Sequence, residues 1–137
     1  MGKERVAEAK SILIVEDHES LRTLIRQFLE EEGFVVKEAG NADTAISLLS
    51  DEKVDLVILD MVMYGKSGMD VMRYIYLHEM SVPVVVLTGA PTLATATEAV
   101  RLGATGYLIK PVNLERLLTI INSSLQAREE NREANEG

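Results

Sequence analysis

The sequence predicts an α/β protein, a single doubly wound domain of five β-α units on a parallel five-stranded sheet. Three observations carry this. Five short runs rich in Val, Ile and Leu read as strands, and three of them, Ser11 to Val15, Asp55 to Leu59 and Val84 to Thr88, read as strands buried on both faces. Between them lie stretches whose apolar residues recur at helical spacing. The two kinds alternate along the chain, a pattern that implies parallel strands joined by right-handed helical crossovers. A length of 137 residues suffices for one domain with a proper core.

Taken in order, Met1 to Glu8 is a polar extension, and the domain spans residues 9–127. Ser11 to Val15 is the first buried strand and stops at two acids, Glu16 and Asp17. Leu21, Leu24, Ile25, Phe28 and Leu29 form one face of the first helix, which Gly33 terminates; His18, beside the acid pair, could touch those acids but reads first as the solvated start of that helix. Phe34 to Lys37 is a short strand. Asn41 can N-cap a second helix whose buried face is Ala42, Ala45, Ile46 and Leu49. The third strand, Asp55 to Leu59, delivers Asp60.

Gly65 and Gly68 mark the loop that follows, and Ser67 with Asp70 resembles a capping box opening a helix through Met72 and Ile75. Val82-Pro83 breaks that helix before the fourth strand, Val84 to Thr88. Gly89 and Pro91 introduce an Ala- and Thr-rich helix ending at Leu102-Gly103. Gly106 to Ile109 is the fifth strand, followed by Lys110-Pro111. Asn113 can cap a final helix with Leu114, Leu117, Leu118, Ile121 and Leu125 on its buried face. Residues 128–137 read as a polar tail or linker that either extends this helix without a core to bury or frays.

Composition narrows the functions open to such a domain. Hydrophobic residues at 47% and charged residues at 26% fit a soluble globular protein. The net charge of −8 argues against nucleic-acid binding by this segment, since phosphate neutralisation needs clustered Lys and Arg. Without cysteine there is no disulfide, thiol catalysis or Cys-based metal site. No apolar run approaches the ~20 residues of a bilayer span, and MGKERVAEAK lacks a signal-peptide core, so no membrane association and a cytoplasmic setting are expected.

The strand ends are the informative part. In a parallel sheet every strand points the same way, so the C-terminal ends share one rim. This chain places Glu16 and Asp17, Asp60, Thr88 and Lys110 there. Acids packed together repel unless a cation joins them. Hard oxygens, with neither Cys nor His among these strand-end residues, suit Mg²⁺, which readily shares an incoming phosphate. A carboxylate can itself be a nucleophile, and Lys and Thr can grip phosphoryl oxygens. The set matches phosphoryl transfer to Asp60.

At these residues the chain resembles the receiver domain of two-component response regulators (CheY-like) over nearly its whole length. The matching features are Ile12 to Asp17, Asp60 with Gly68 eight residues on, Thr88-Gly-Ala90, and Tyr107 shortly before Lys110-Pro111. The resemblance implies a flavodoxin-like sheet in the order 2-1-3-4-5. It implies that Asp60 takes phosphate from a histidine kinase, a phosphotransfer protein or a small phosphodonor. Mg²⁺ would be held by Asp17, Asp60, the backbone carbonyl of Val62 and, through water, Glu16. Thr88 and Lys110 would bind the phosphoryl group, and Thr88 and Tyr107 would switch the surface of the fourth helix, fifth strand and fifth helix, through which a homodimer could form.

The chain departs from the family where proline is common four residues after the acceptor; here it carries Tyr64, without the fixed φ of proline. Neither Val62 nor Ala90 can position a hydrolytic water by hydrogen bonding. His78 to Pro83 superficially resembles the phosphoacceptor box of a histidine kinase but runs straight into a buried strand. An aspartyl phosphatase would want a second aspartate two residues after Asp60, where Val62 stands, so the expectation is a phosphoacceptor and not an enzyme. A phosphate-independent interaction module is the alternative; a flavin-binding relative is disfavoured by the lack of a Ser/Thr/Gly-rich loop after the first strand.

Overall fold

The computed structural model describes residues 8–63 and 68–136. The chain folds as β1 (Ser11–Val15), α1 (Glu19–Glu31), β2 (Val35–Ala39), α2 (Ala42–Asp51), β3 (Leu56–Asp60), α3 (Gly68–Leu77), β4 (Val84–Thr88), α4 (Leu93–Arg101), β5 (Gly106–Ile109) and α5 (Leu114–Glu136). The strands form one parallel sheet in the order β2-β1-β3-β4-β5, as the resemblance implied. Tyr64, Gly65 and the expected Ser67 cap lie outside the described residues.

Each strand sends alternate side chains to opposite faces, and both faces are covered. On β3, Leu56 and Ile58 join Ile25 and Leu29 of α1 and Leu117 and Ile121 of α5. Val57 and Leu59 face the other way, toward Ala45 and Leu49 of α2, Val71 and Met72 of α3 and Ala99 of α4. The central strands are therefore buried at every position. That burial sets the register, because a one-residue slip would exchange the two cores.

Helix ends follow local chemistry. The Asn41 side chain accepts the Thr44 N–H at 2.8 Å, and Thr92 and Thr95 form a reciprocal capping box on α4. Gly33 and Gly103, at φ 97° and 100°, supply the left-handed residue that closes α1 and α4. Glu79 occupies the equivalent place after α3 at φ 51°, with the Met80 N–H donating to the Ile75 carbonyl. A side chain there carries the crowding that glycine avoids.

The structure departs from the sequence reading at Leu24, in the bounds of β2, and in β3, which starts at Leu56 and takes in Asp60. Leu24 is 51% exposed, because the apolar stripe of α1 is narrower than its leucines suggest. β2 begins at Val35, since the Phe34 N–H is used to close α1 onto the Leu29 carbonyl. Of the two readings of the polar tail, the structure shows the helical one, and beyond Gln126 the chain remains helical to Glu136. Polar anchors support this extension where apolar contacts would not. The Arg128 guanidinium donates to the Asp55 carbonyl at 3.0 Å, and Lys10 pairs with Glu129 at 3.2 Å.

Candidate functional site

At the C-terminal rim the residues following β1, β3 and β5 converge. Asp60, the last residue of β3, is 1% exposed, and Glu16, directly after β1, is fully buried. Lys110 Nζ lies 3.0 Å from Glu16 Oε1 and 3.3 Å from Asp60 Oδ2. Neither acceptor oxygen has a directed hydrogen bond among the described residues, so the lysine binds both acids through charge. The second Asp60 oxygen, Oδ1, accepts the Val62 N–H at 3.2 Å.

This arrangement strains the acid chemistry of the site. Burial pushes the Asp60 carboxyl up to about 6; the Val62 N–H opposes that, the Glu16 carboxylate adds to it, and Lys110 opposes it. Burial works against the Lys110 charge too, but the close Glu16 and Asp60 carboxylates hold its pKa above the ordinary lysine value. Two acids and one lysine leave one negative charge in excess where water is largely excluded. Such a site favours a further cation.

The remaining predicted residues fall around this centre. Asp17 is on the same rim with a side chain 19% exposed. Thr88 is buried, and its hydroxyl accepts the Ala90 N–H at 3.1 Å, so it is engaged with its own loop. Tyr107 sits one strand further out, in register with Val86, its ring packed against the cluster under α2, α3 and α4. The Tyr107 hydroxyl is buried with no hydrogen bond among the described residues. Pro111 follows Lys110 through a cis peptide bond. The Val62 side chain points to solvent.

Gly68 has a steric role that its loop position did not reveal. A Cβ there would collide with the backbone carbonyl oxygen of Asp60 and approach Met61 Cα to 2.9 Å, while the Gly68 N–H donates to the Met61 carbonyl at 3.2 Å. The start of α3 thus packs directly on the backbone of the acceptor. This is the physical reason for the eight-residue spacing.

One further residue was missed. The Arg22 guanidinium donates to the Glu16 carbonyl at 2.8 Å and pairs with Glu38 at 3.0 Å, tying α1 to the acid loop. His18, the exposed N-cap residue of α1, places Nδ1 3.2 Å from Glu16 Oε2 and 3.4 Å from Asp17 Oδ1. His18 thus begins α1 as a solvated residue, as expected, and its ring also touches the acid pair. His78, by contrast, is remote from the rim and stacks on Tyr74 at 4.0 Å between ring centroids.

Residues 12–122 match the family described as the response regulator receiver domain. The NtrC DNA-binding transcriptional regulator of Bradyrhizobium sp. (strain RP501 Parasponia) is 36% identical over 117 residues, 85% of this chain and 24% of that protein. The CheY-like receiver domain protein of Methanospirillum hungatei superposes with a TM-score of 0.87 at 27% identity, covering 90% of this chain and 99% of that one. A Burkholderia pseudomallei response regulator, solved with a phosphorylated aspartic acid and a calcium ion, gives a TM-score of 0.75 at 32% identity, covering 93% and 73%. The chain spans about a quarter of the length of the curated relatives it matches.

Proposed function

The chain belongs to the response regulator receiver domain family, and on that premise we propose that Asp60 accepts a phosphoryl group from a histidine kinase or phosphotransfer protein in a Mg²⁺-dependent step. The observation that carries the proposal is the buried triad of Glu16, Asp60 and Lys110, with two carboxylate oxygens lacking directed hydrogen bonds. With its carboxyl at about 6, Asp60 is mostly ionised at neutral pH and can act as the nucleophile. An Asp60 oxygen attacks phosphorus; the bond from phosphorus to the donor nitrogen breaks, and its electron pair leaves with the imidazole. Lys110 is close enough to Asp60 to hold a positive charge against the transferring oxygens. Thr88 would exchange its bond from the Ala90 N–H for one to the phosphoryl group.

The donor set also fits the metal. Glu16, Asp17 and Asp60 offer hard carboxylate oxygens in a site carrying excess negative charge, and the Val62 carbonyl is the fourth donor that the resemblance implies. When bound, Mg²⁺ would neutralise charge developing on the phosphoryl oxygens.

The added phosphoryl charge, roughly −1.5 to −2, would draw Thr88 inward and let the Tyr107 ring move with it. The surface this would alter carries exposed apolar side chains, Leu93 and Val100 on α4 and Ile109 on β5, which suit a docking partner or a second copy. Val62 stands where a phosphatase would carry its second acid, which supports a stoichiometric acceptor over an enzyme. A cytoplasmic setting is part of the proposal, and no described helix is long and apolar enough to cross a membrane. NtrC-like relatives carry further domains, so a DNA-binding output attached to this receiver is part of the proposal. Intact mass after incubation with acetyl phosphate tests it. One hydroxylamine-labile phosphoryl group is expected with Mg²⁺ and none without it; no adduct under either condition would contradict the proposal.

A further inference from the structure

We propose that His18 is a ligand of the divalent cation and widens the site's preference from Mg²⁺ toward metals that accept an imidazole nitrogen. The inference rests on the metal reading above. Among the described residues Glu16, Asp17 and His18 form a group whose ligand atoms lie within 4.8 Å of one another. The His18 Nδ1 separations of 3.2 and 3.4 Å from the two acids match the edge of an octahedral shell. With metal–ligand bonds of about 2.1 Å, adjacent ligands stand about 3 Å apart. A cation can therefore take these three atoms with little movement.

Two independent features point to a ligand there. The Glu16 side chain is completely buried, and its Oε2 is drawn toward the rim by both the backbone N–H and the ring of His18, at 3.1 and 3.2 Å. The other Glu16 oxygen, Oε1, and Asp60 Oδ2 are buried without a directed hydrogen bond among the described residues and share the charge of Lys110. The His18 ring itself is 75% exposed, so rotation and a shift of its proton to Nε2 meet no packed neighbour. Helix α1 fixes the ring's origin. His18 is its N-cap residue but makes no side-chain cap hydrogen bond, and its Nδ1 stands against Glu16 and Asp17 instead. Carboxylates suit Mg²⁺ and Mn²⁺, whereas an imidazole in the same shell favours Co²⁺, Ni²⁺ and Zn²⁺.

The test loads the chain with Mn²⁺ and looks for ¹⁴N modulation in its electron spin echo, with calorimetric Ni²⁺ and Mg²⁺ affinities for wild type and His18→Ala. The exposure of His18 and its lack of a capping bond mean that the variant folds, which circular dichroism checks. Expected are nitrogen coupling in the wild type only, and a Ni²⁺-to-Mg²⁺ affinity ratio lowered roughly tenfold or more by the substitution, with Mg²⁺ affinity nearly unchanged. Mn²⁺ bound without nitrogen coupling, or an affinity ratio that does not change, would overturn the inference and leave the phosphoacceptor reading intact. Failure of every divalent ion to bind would overturn both.

Discussion

Strand β3 carries a buried aspartate at each end, and the two are treated differently. Asp55, just before the strand, is 4% exposed, accepts the Ser11 N–H at 2.8 Å, and faces Arg128 from the extended α5. Asp60, at the other end, shares one lysine with a second buried acid and is pushed up to about 6. The first end closes the fold; the second stores charge that folding alone does not neutralise. Function resides where polar satisfaction is incomplete, and a completely satisfied Asp60 would have no reason to accept a cation or a phosphoryl group.

The largest effect expected from breaking this contrast is at the satisfied end. Asp55→Ala would strand the Ser11 N–H and leave Arg128 without its carboxylate, costing about 3 kcal/mol in urea unfolding. Asp60→Asn is expected to act in the opposite direction, stabilising the metal-free protein at pH 8 by about 1–2 kcal/mol. The amide still accepts the Val62 N–H but carries no charge beside Glu16. The pH dependence follows from the same cause. Because burial raises the folded Asp60 above its ordinary value of 3.8 to about 6, between those pH values the native state holds a proton that the unfolded chain has released. That contribution is complete below pH 4 and declines as pH rises toward 6, and Asp60→Asn removes it. Parallel pH curves for wild type and variant would sink this account.

The smallest expected effect lies away from both ends and sets the scale for ordinary local strain. Glu79→Gly relieves the left-handed residue closing α3, at φ 51°, and is expected to stabilise by about 0.5–1 kcal/mol. Thermal melts would register this as a small upward shift; a decrease would mean that the Glu79 side chain contributes more than its backbone costs.

The sequence made the strands and most caps legible because their signals are local. β5 has the predicted bounds Gly106–Ile109, and Asn41 caps α2 as expected. Listing strand ends was enough to bring Glu16, Asp60 and Lys110 together, since parallel strands share a rim. What escaped had no periodic or local signature. Arg128 and Asp55 are 73 residues apart and meet through a polar contact that a search for apolar stripes does not register, so the tail was left open between a helical extension and a frayed end. His18 was visible beside the acids, but only the turn of the chain into α1 brings its ring onto them. Leu24 failed for the opposite reason, as an apolar residue at helical spacing that the narrow contact face of α1 leaves exposed.

The most direct measurement compares intact masses of wild type, Asp55→Asn and Asp60→Asn after treatment with acetyl phosphate and Mg²⁺. The milder Asp55→Asn substitution keeps an acceptor for the Ser11 N–H. The account predicts one phosphoryl group on wild type and on folded Asp55→Asn, and none on Asp60→Asn. Phosphorylation that survives in Asp60→Asn would contradict the assignment of chemistry to the strained end of β3.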